Sequence, residues 1–199
     1  MGLVTEMRLP SAGVHETHVF SYTGKHRYSV TLFTHGSKEV FRNAEPVRAV
    51  LEVLGECGRK EAFEITAYCF LPGRLVIIIG GKDEGSDFRS FIRGFRTESS
   101  SRVQAIVPGE LWSRRYQERV VRRGENLRAV VRDLFLLPVR GGLAQAPTAY
   151  PYQGSFTGLT PAVTSPRGRR THRREGRHPE KLRRGPRGGG RRARPKPGP

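Results

Sequence analysis

Residues 63–79 form the apolar run FEITAYCFLPGRLVIII, which Pro72, Gly73 and Arg74 interrupt. Residues 63–71 and 75–79 are rich in β-branched, aromatic and aliphatic side chains, which favour β-strands. Between them lie Pro72 and Gly73, a pair that is typical of a tight turn. The stretch therefore predicts a β-hairpin. Because it is too apolar for an exposed edge, we place this hairpin at the centre of a sheet.

Hydrophobic periodicity predicts two elements upstream of the hairpin. Residues 26–34 alternate between apolar and polar side chains, which is typical of a strand with one buried face. Residues 45–60 carry apolar residues at helical spacing, and Pro46 suits the first turn of a helix.

Downstream of the hairpin, Ser86 or Asp87 is expected to cap a second helix, which has an apolar stripe of phenylalanines. Residues 115–122 have the amphipathic pattern of a fourth strand. A third helix is predicted to begin at Asn126 and to run through Leu137, after which Pro138 closes it.

This order of elements predicts an α+β fold with a ferredoxin-like antiparallel sheet, β-α-β-β-α-β, followed by a C-terminal helix. Composition alone leaves it as one of several α+β folds. Residues 1–24 read as a flexible leader, residues 25–157 as the folded domain, and residues 158–199 as a disordered tail rich in Arg, Gly and Pro.

The charge of the chain is uneven. The formal net charge of the 199 residues is +18, and residues 166–199 hold 14 Lys or Arg against two Glu, so +12 of it lies in the tail. A positive field of this size favours polyanions, and nucleic acids are the abundant polyanions of a cell. Cys57 and Cys69 are predicted to be buried, reduced thiols, with a disulfide between them as the alternative. With no signal sequence and no apolar membrane span, the protein is expected to be soluble and cytoplasmic.

Residues 67–79 resemble the signature strand of the REP-associated tyrosine transposases, the single-tyrosine branch of the HUH superfamily. That family reads Ala-Tyr-Cys-(Phe/Leu)-Met-Pro-(Asn/Asp)-His-(Val/Leu)-His-Leu-Leu at this point. The resemblance spans about residues 26–156 in order and at family spacing. It includes SFIRGF at 90–95, LWSRRY at 111–116, PVRGGL at 138–143 and YPYQGS at 150–155.

The resemblance implies a ferredoxin-like fold and a role in DNA transposition and recombination. Enzymes of this family cut single-stranded DNA by attack of a tyrosine hydroxyl, which leaves a phosphotyrosine link. A divalent ion, Mg²⁺ or Mn²⁺, held by two histidines and a helical amide, polarises the scissile phosphate.

Four positions depart from the family. The paired histidines fall on Arg74 and Val76, the nucleophilic tyrosine falls on Asp133, and the amide falls on Leu137. Arginine has no lone pair to offer a metal, and valine and leucine have no donor atom. The resemblance therefore implies a catalytically inactive member that needs no metal cofactor. Arg74 and Asp133 either form an ion pair where metal and nucleophile would meet, or are two unrelated surface charges.

An active transposase that uses other residues is the first alternative. Aspartate could attack phosphorus, although the product would be a labile acyl phosphate. Tyr116 and Tyr150 are the nearest tyrosines, and neither lies in the helix that the chemistry needs. None of the six histidines has a convincing metal spacing. A basic RNA-associated protein, or a decaying transposase remnant, is the second alternative.

Binding residues are predicted from the basic and aromatic side chains of the domain. Arginines can contact phosphates, and Trp112 or Tyr116 could stack on unpaired bases. The expected partner is single-stranded or hairpin DNA, with RNA as an alternative partner of the tail; monomer and homodimer stay open. The predicted DNA-binding residues are Arg89, Arg93, Arg96, Trp112, Arg114, Arg115, Tyr116 and Arg119.

Overall fold

The computed structural model describes residues 20–159. Residues 1–19 of the predicted leader and residues 160–199 of the predicted tail lie outside the described residues.

Five strands and four α-helices make up the described chain. The strands are β1 (Arg27–Thr34), β2 (Phe63–Leu71), β3 (Arg74–Gly81), β4 (Trp112–Val121) and β5 (Gln153–Gly154). The helices are α1 (Ala44–Lys60), α2 (Phe88–Val103), α3 (Leu127–Phe135) and α4 (Leu137–Arg140). Single 3₁₀ turns occur at His35–Ser37, Val40–Arg42 and Pro147–Ala149.

The sheet is antiparallel throughout, with the strand order β4-β1-β3-β2-β5. This confirms the predicted hairpin, formed by β2 and β3 around Pro72 and Gly73, and the predicted ferredoxin-like α+β fold. β3 is the central strand, and its residues Ile77, Ile78 and Ile79 are completely buried. A strand that contributes apolar side chains to both faces of the sheet needs cover on both sides.

The two faces of the sheet are covered unequally. α1 and α2 pack on one face over a large core that includes Tyr28 and Phe91. On the other face a smaller core joins α3, through Leu134 and Phe135, to β2 and β3. A cleft remains on this second face between α3 and the strands β1, β3 and β4.

Local capping follows the sequence. The Asp87 carboxylate accepts hydrogen bonds from the backbone N–H groups of Arg89 and Ser90, which confirms Asp87 as the cap of α2. The Asn126 side chain accepts from the backbone N–H of Ala129 at the start of α3.

Two predicted boundaries were wrong. β4 begins at Trp112, three residues earlier than predicted, because a register shift in its pairing with β1 places Trp112 opposite Thr34. The helix predicted to run through Leu137 ends at Phe135, and the chain continues after Leu136 as the separate helix α4. Pro138 lies in the first turn of α4, where a proline costs no hydrogen bond.

Residues 20–24 pack on the domain, although they were assigned to the leader. The ring of Tyr22 stacks on that of Phe88 with 5.7 Å between centroids, and Thr23 forms an isolated bridge with Asp87.

Cys57 on α1 and Cys69 on β2 are free, buried thiols, as predicted. None of the helices within residues 20–159 has the length and apolar character that a membrane span requires.

Candidate nucleic-acid interface

The four positions at which the chain departs from the transposase pattern all line the cleft on the second face of the sheet. This cleft, which we call the sheet cleft, has a volume of about 360 Å³. Arg74 and Val76 enter it from β3, where residues two apart point to one face. Asp133 and Leu137 enter it from α3 and α4. The chain therefore brings these positions together, with different chemistry at each.

Both carboxylates of the sheet cleft form ion pairs with arginines. Asp133 lies 3.1 Å from the Arg140 guanidinium, and both side chains are more than half exposed. Glu125 accepts two hydrogen bonds, of 2.9 and 2.7 Å, from one nitrogen of Arg119. These bonds from Arg119 lower the pKa of Glu125. Such solvent-exposed pairs add little stability, but they neutralise two of the arginines.

Of the two alternatives for Arg74 and Asp133, the ion pair is wrong. Arg140 follows the helix break at Leu136 and reaches back to Asp133, so the carboxylate is paired within its own segment. Within residues 20–159, Arg74 has no carboxylate within 4.0 Å and makes no side-chain hydrogen bond. Its side chain is exposed at the start of β3.

Neutral donors lie beside Arg74 on the sheet. Thr31 of β1 is the register partner of Val76 on β3 and of Gln117 on β4, so these three residues form a row across the cleft floor. Ser29 follows on the same face of β1. Among the described residues, the side chains of Ser29, Thr31 and Gln117 make no hydrogen bonds. They are free to donate to a ligand.

The divalent ion that the resemblance implies does not fit these residues. A metal needs lone-pair donors, which neither Arg74 nor Val76 can supply, and the two carboxylates are held by guanidinium groups. Among the described residues, three arginines face two carboxylates in the cleft, and this net positive charge would also repel a cation. Within the part of the chain that the structure describes, no group of three or more His, Cys, Asp or Glu side chains is placed to hold a metal.

Neither alternative tyrosine reaches the sheet cleft. The Tyr150 hydroxyl donates to the backbone carbonyl of Phe70 at 2.8 Å, and burial raises the pKa of Tyr150 to about 12. Tyr116 points to the opposite face of the sheet, where its ring lies 6.4 Å from that of Phe88.

A second basic surface lies on the face of the sheet that α1 and α2 cover. It is a groove of about 640 Å³ between α2 and the start of β4, which we call the α2 groove. Arg89 stacks over the Tyr22 ring at 4.4 Å, and Arg96 donates to the backbone carbonyl of Ser113 at 2.6 Å. Arg93, by contrast, makes no side-chain hydrogen bond or ion pair within residues 20–159.

Trp112 is not a base-stacking residue. Its side chain is 4% exposed, and its indole Nε1–H donates to the Ser99 hydroxyl at 2.8 Å. It packs against Phe41 and Phe95 in the larger core, a position that disfavours the predicted contact with unpaired bases. Tyr116, which is half-buried, keeps part of its ring open to the α2 groove.

The predicted DNA-binding residues are therefore split between surfaces. Arg89, Arg93, Arg96 and Tyr116 line the α2 groove, whereas Arg119 lines the sheet cleft. Arg114 and Arg115 are exposed on β4 between them.

Sequence reasoning missed four cleft residues as candidate ligand contacts: Ser29, Thr31, Gln117 and Arg140. For Ser29 and Thr31 a signal was present, because they are the polar half of the alternation in residues 26–34.

No protein-family model and no curated protein matches the sequence. Among solved structures, the chain is similar to a REP-associated tyrosine transposase bound to a REP hairpin. The identity is 18%, the match covers 70% of this chain and 82% of that one, and the TM-score is 0.56.

A transposase candidate from Deinococcus radiodurans r1 is 17% identical over 59% of this chain and 91% of its own, with a TM-score of 0.44. The described residues form an α+β domain. The particular fold they share is that of the REP-associated tyrosine transposase.

Proposed function

We propose that this protein is a catalytically inactive relative of the REP-associated tyrosine transposases that binds hairpin or single-stranded DNA without cutting it. The observation that carries the proposal is the sheet cleft. It keeps an exposed cation and several hydrogen-bond donors where the family has a metal and a tyrosine. The similar transposase was solved with a REP hairpin, which supports a DNA hairpin as the ligand class here.

Binding would come chiefly from phosphate contacts. Arg74 in the sheet cleft and Arg93 in the α2 groove have no acidic partner among the described residues, so phosphates can engage them without breaking an ion pair. Contacts of this kind give affinity that depends strongly on salt and weakly on sequence. The charge of the tail would add to this nonspecific term.

Cleavage is disfavoured by the groups in the cleft. Asp133 is the residue at the nucleophile position, and Arg140 occupies its carboxylate. Attack by a carboxylate would give an acyl phosphate, which hydrolyses easily and cannot hold a DNA end for rejoining. Leu137, at the start of α4, has no atom that could bind a metal.

The experiment compares ligands of equal length on the full chain by fluorescence anisotropy: a DNA hairpin with single-stranded flanks, a DNA duplex and an RNA hairpin of the same sequence. We expect the DNA hairpin to bind most tightly, with an affinity that falls steeply with salt. Equal affinity for all three would show that total charge alone decides binding. That result would favour the RNA-associated alternative, in which the basic tail supplies most of the binding affinity.

A further inference from the structure

We infer that the sheet cleft binds a DNA phosphodiester without a divalent metal, and that the Arg74 guanidinium supplies the positive charge. This inference rests on the proposed function and specifies how the same site holds its ligand. The residues that make the cleft unfit for a metal make it fit for an anion.

Arg74 gives the sheet cleft its net positive charge. Arg119 and Arg140 are paired with Glu125 and Asp133, which leaves Arg74 as the cation without a carboxylate partner among residues 20–159. A guanidinium can donate two parallel hydrogen bonds to the oxygens of one phosphate. Since Arg74 is exposed at the start of β3, a ligand can reach it without displacing another side chain.

The sheet cleft also holds neutral side chains that can donate hydrogen bonds to a phosphate. Thr31 and Gln117 lie next to each other across β1 and β4, and Ser29 lies two residues from Thr31 on the same face. A hydroxyl or amide group is neutral and can donate a hydrogen bond to a phosphate oxygen without changing the charge of the cleft. A cleft of about 360 Å³ is small for a ligand pocket, so it suits a phosphate and part of its nucleotide.

Divalent metal ions should weaken DNA binding at such a site and not support it. In a site whose charge comes from arginine, a divalent ion has no ligands and acts only as a competing counterion for the DNA. Binding should therefore be unchanged by a chelator and weakened by added Mg²⁺. A metal-dependent site gives the opposite response.

The test measures the affinity of the full chain for a single-stranded oligonucleotide, with EDTA and with Mg²⁺, for the wild type and three variants. Arg74→Ala should weaken binding about tenfold. It should also reduce the slope of log affinity against log salt concentration by about the amount that one phosphate contact contributes. Arg48→Ala, which removes an exposed arginine of α1 on the opposite face of the sheet, should change the affinity by less than about twofold. Thr31→Val keeps the shape of the side chain and should weaken binding about threefold.

Each outcome decides one claim. If the wild type binds and Arg74→Ala binds as well as Arg48→Ala does, the inference is overturned while the proposed function stands. If EDTA weakens wild-type binding several-fold, the cleft uses a metal after all. If the wild type does not bind single-stranded or hairpin DNA, the proposed function itself is wrong. Thermal unfolding of each variant checks that a loss of binding is not a loss of fold.

Discussion

Replacing Ser99 with alanine tests whether Trp112 belongs to the core or to the DNA interface. Ser99 is fully buried on α2, and its hydroxyl accepts the hydrogen bond from the indole Nε1–H of Trp112. The same hydroxyl donates to the Phe95 carbonyl at 2.6 Å. The Ser99→Ala change leaves the indole N–H in a dry core without its acceptor.

The expected cost follows from that burial. An unsatisfied buried donor costs about 1–3 kcal/mol, and alanine returns about 0.5 kcal/mol through its better helix propensity. The free energy of unfolding should therefore fall by about 0.5–2.5 kcal/mol. For a domain of this size that corresponds to a decrease in Tm of roughly 2–10 °C.

Trp112 is the single tryptophan of the chain, so its fluorescence reports on this site without labelling. Urea unfolding followed by tryptophan emission measures the loss of stability. Ser100→Ala is the matched control, because the Ser100 hydroxyl makes no hydrogen bond within residues 20–159; it should cost less than about 0.5 kcal/mol. Equal stability of the two variants would refute the role given to the hydrogen bond. Strong quenching of Trp112 emission by bound DNA would show that the indole does stack on bases.

Three further predictions concern the sheet cleft and the buried thiols. Glu125→Gln and Asp133→Asn each remove a carboxylate and release an arginine, so the affinity for single-stranded DNA should rise about threefold at low salt in an anisotropy titration. Unchanged or weaker binding would contradict the charge argument. Burial raises the pKa of the Cys57 and Cys69 thiols to about 12, so the folded protein should resist iodoacetamide at neutral pH and react fully after unfolding. Because both thiols are held neutral, their contribution to stability is complete below the ordinary thiol pKa of about 8.5 and is lost as the pH rises toward 12. Urea unfolding over that pH range should show that the free energy of unfolding declines less in the Cys57→Ala, Cys69→Ala double variant than in the wild type.

Local physics explains which parts of the fold were predictable. The hairpin at Pro72 and Gly73 and the caps at Asp87 and Asn126 depend on neighbouring residues, so the sequence signals were sufficient. The start of β4 depends on a register shift against β1, which no local pattern records. The helix break at Leu136 cannot be predicted from Pro138, because a proline is typical both of the end of one helix and of the first turn of the next.

The site was less predictable, because its properties depend on tertiary pairing. The resemblance singled out Arg74 and Asp133, but only the folded chain decides that Asp133 pairs with Arg140. Trp112 looked available for stacking because its acceptor, Ser99, lies 13 residues earlier on another element. Which face of β1 lines an open cleft likewise depends on how far α3 extends over the sheet.

We propose that the sheet cleft holds DNA and does not break it. The most direct test incubates the full chain with a DNA hairpin carrying single-stranded flanks, in Mg²⁺ or Mn²⁺, and runs native and denaturing gels in parallel. We predict a retarded complex on the native gel, with neither a shortened strand nor a covalent protein–DNA adduct on the denaturing gel. A strand break that disappears in the Asp133→Asn variant would contradict the account.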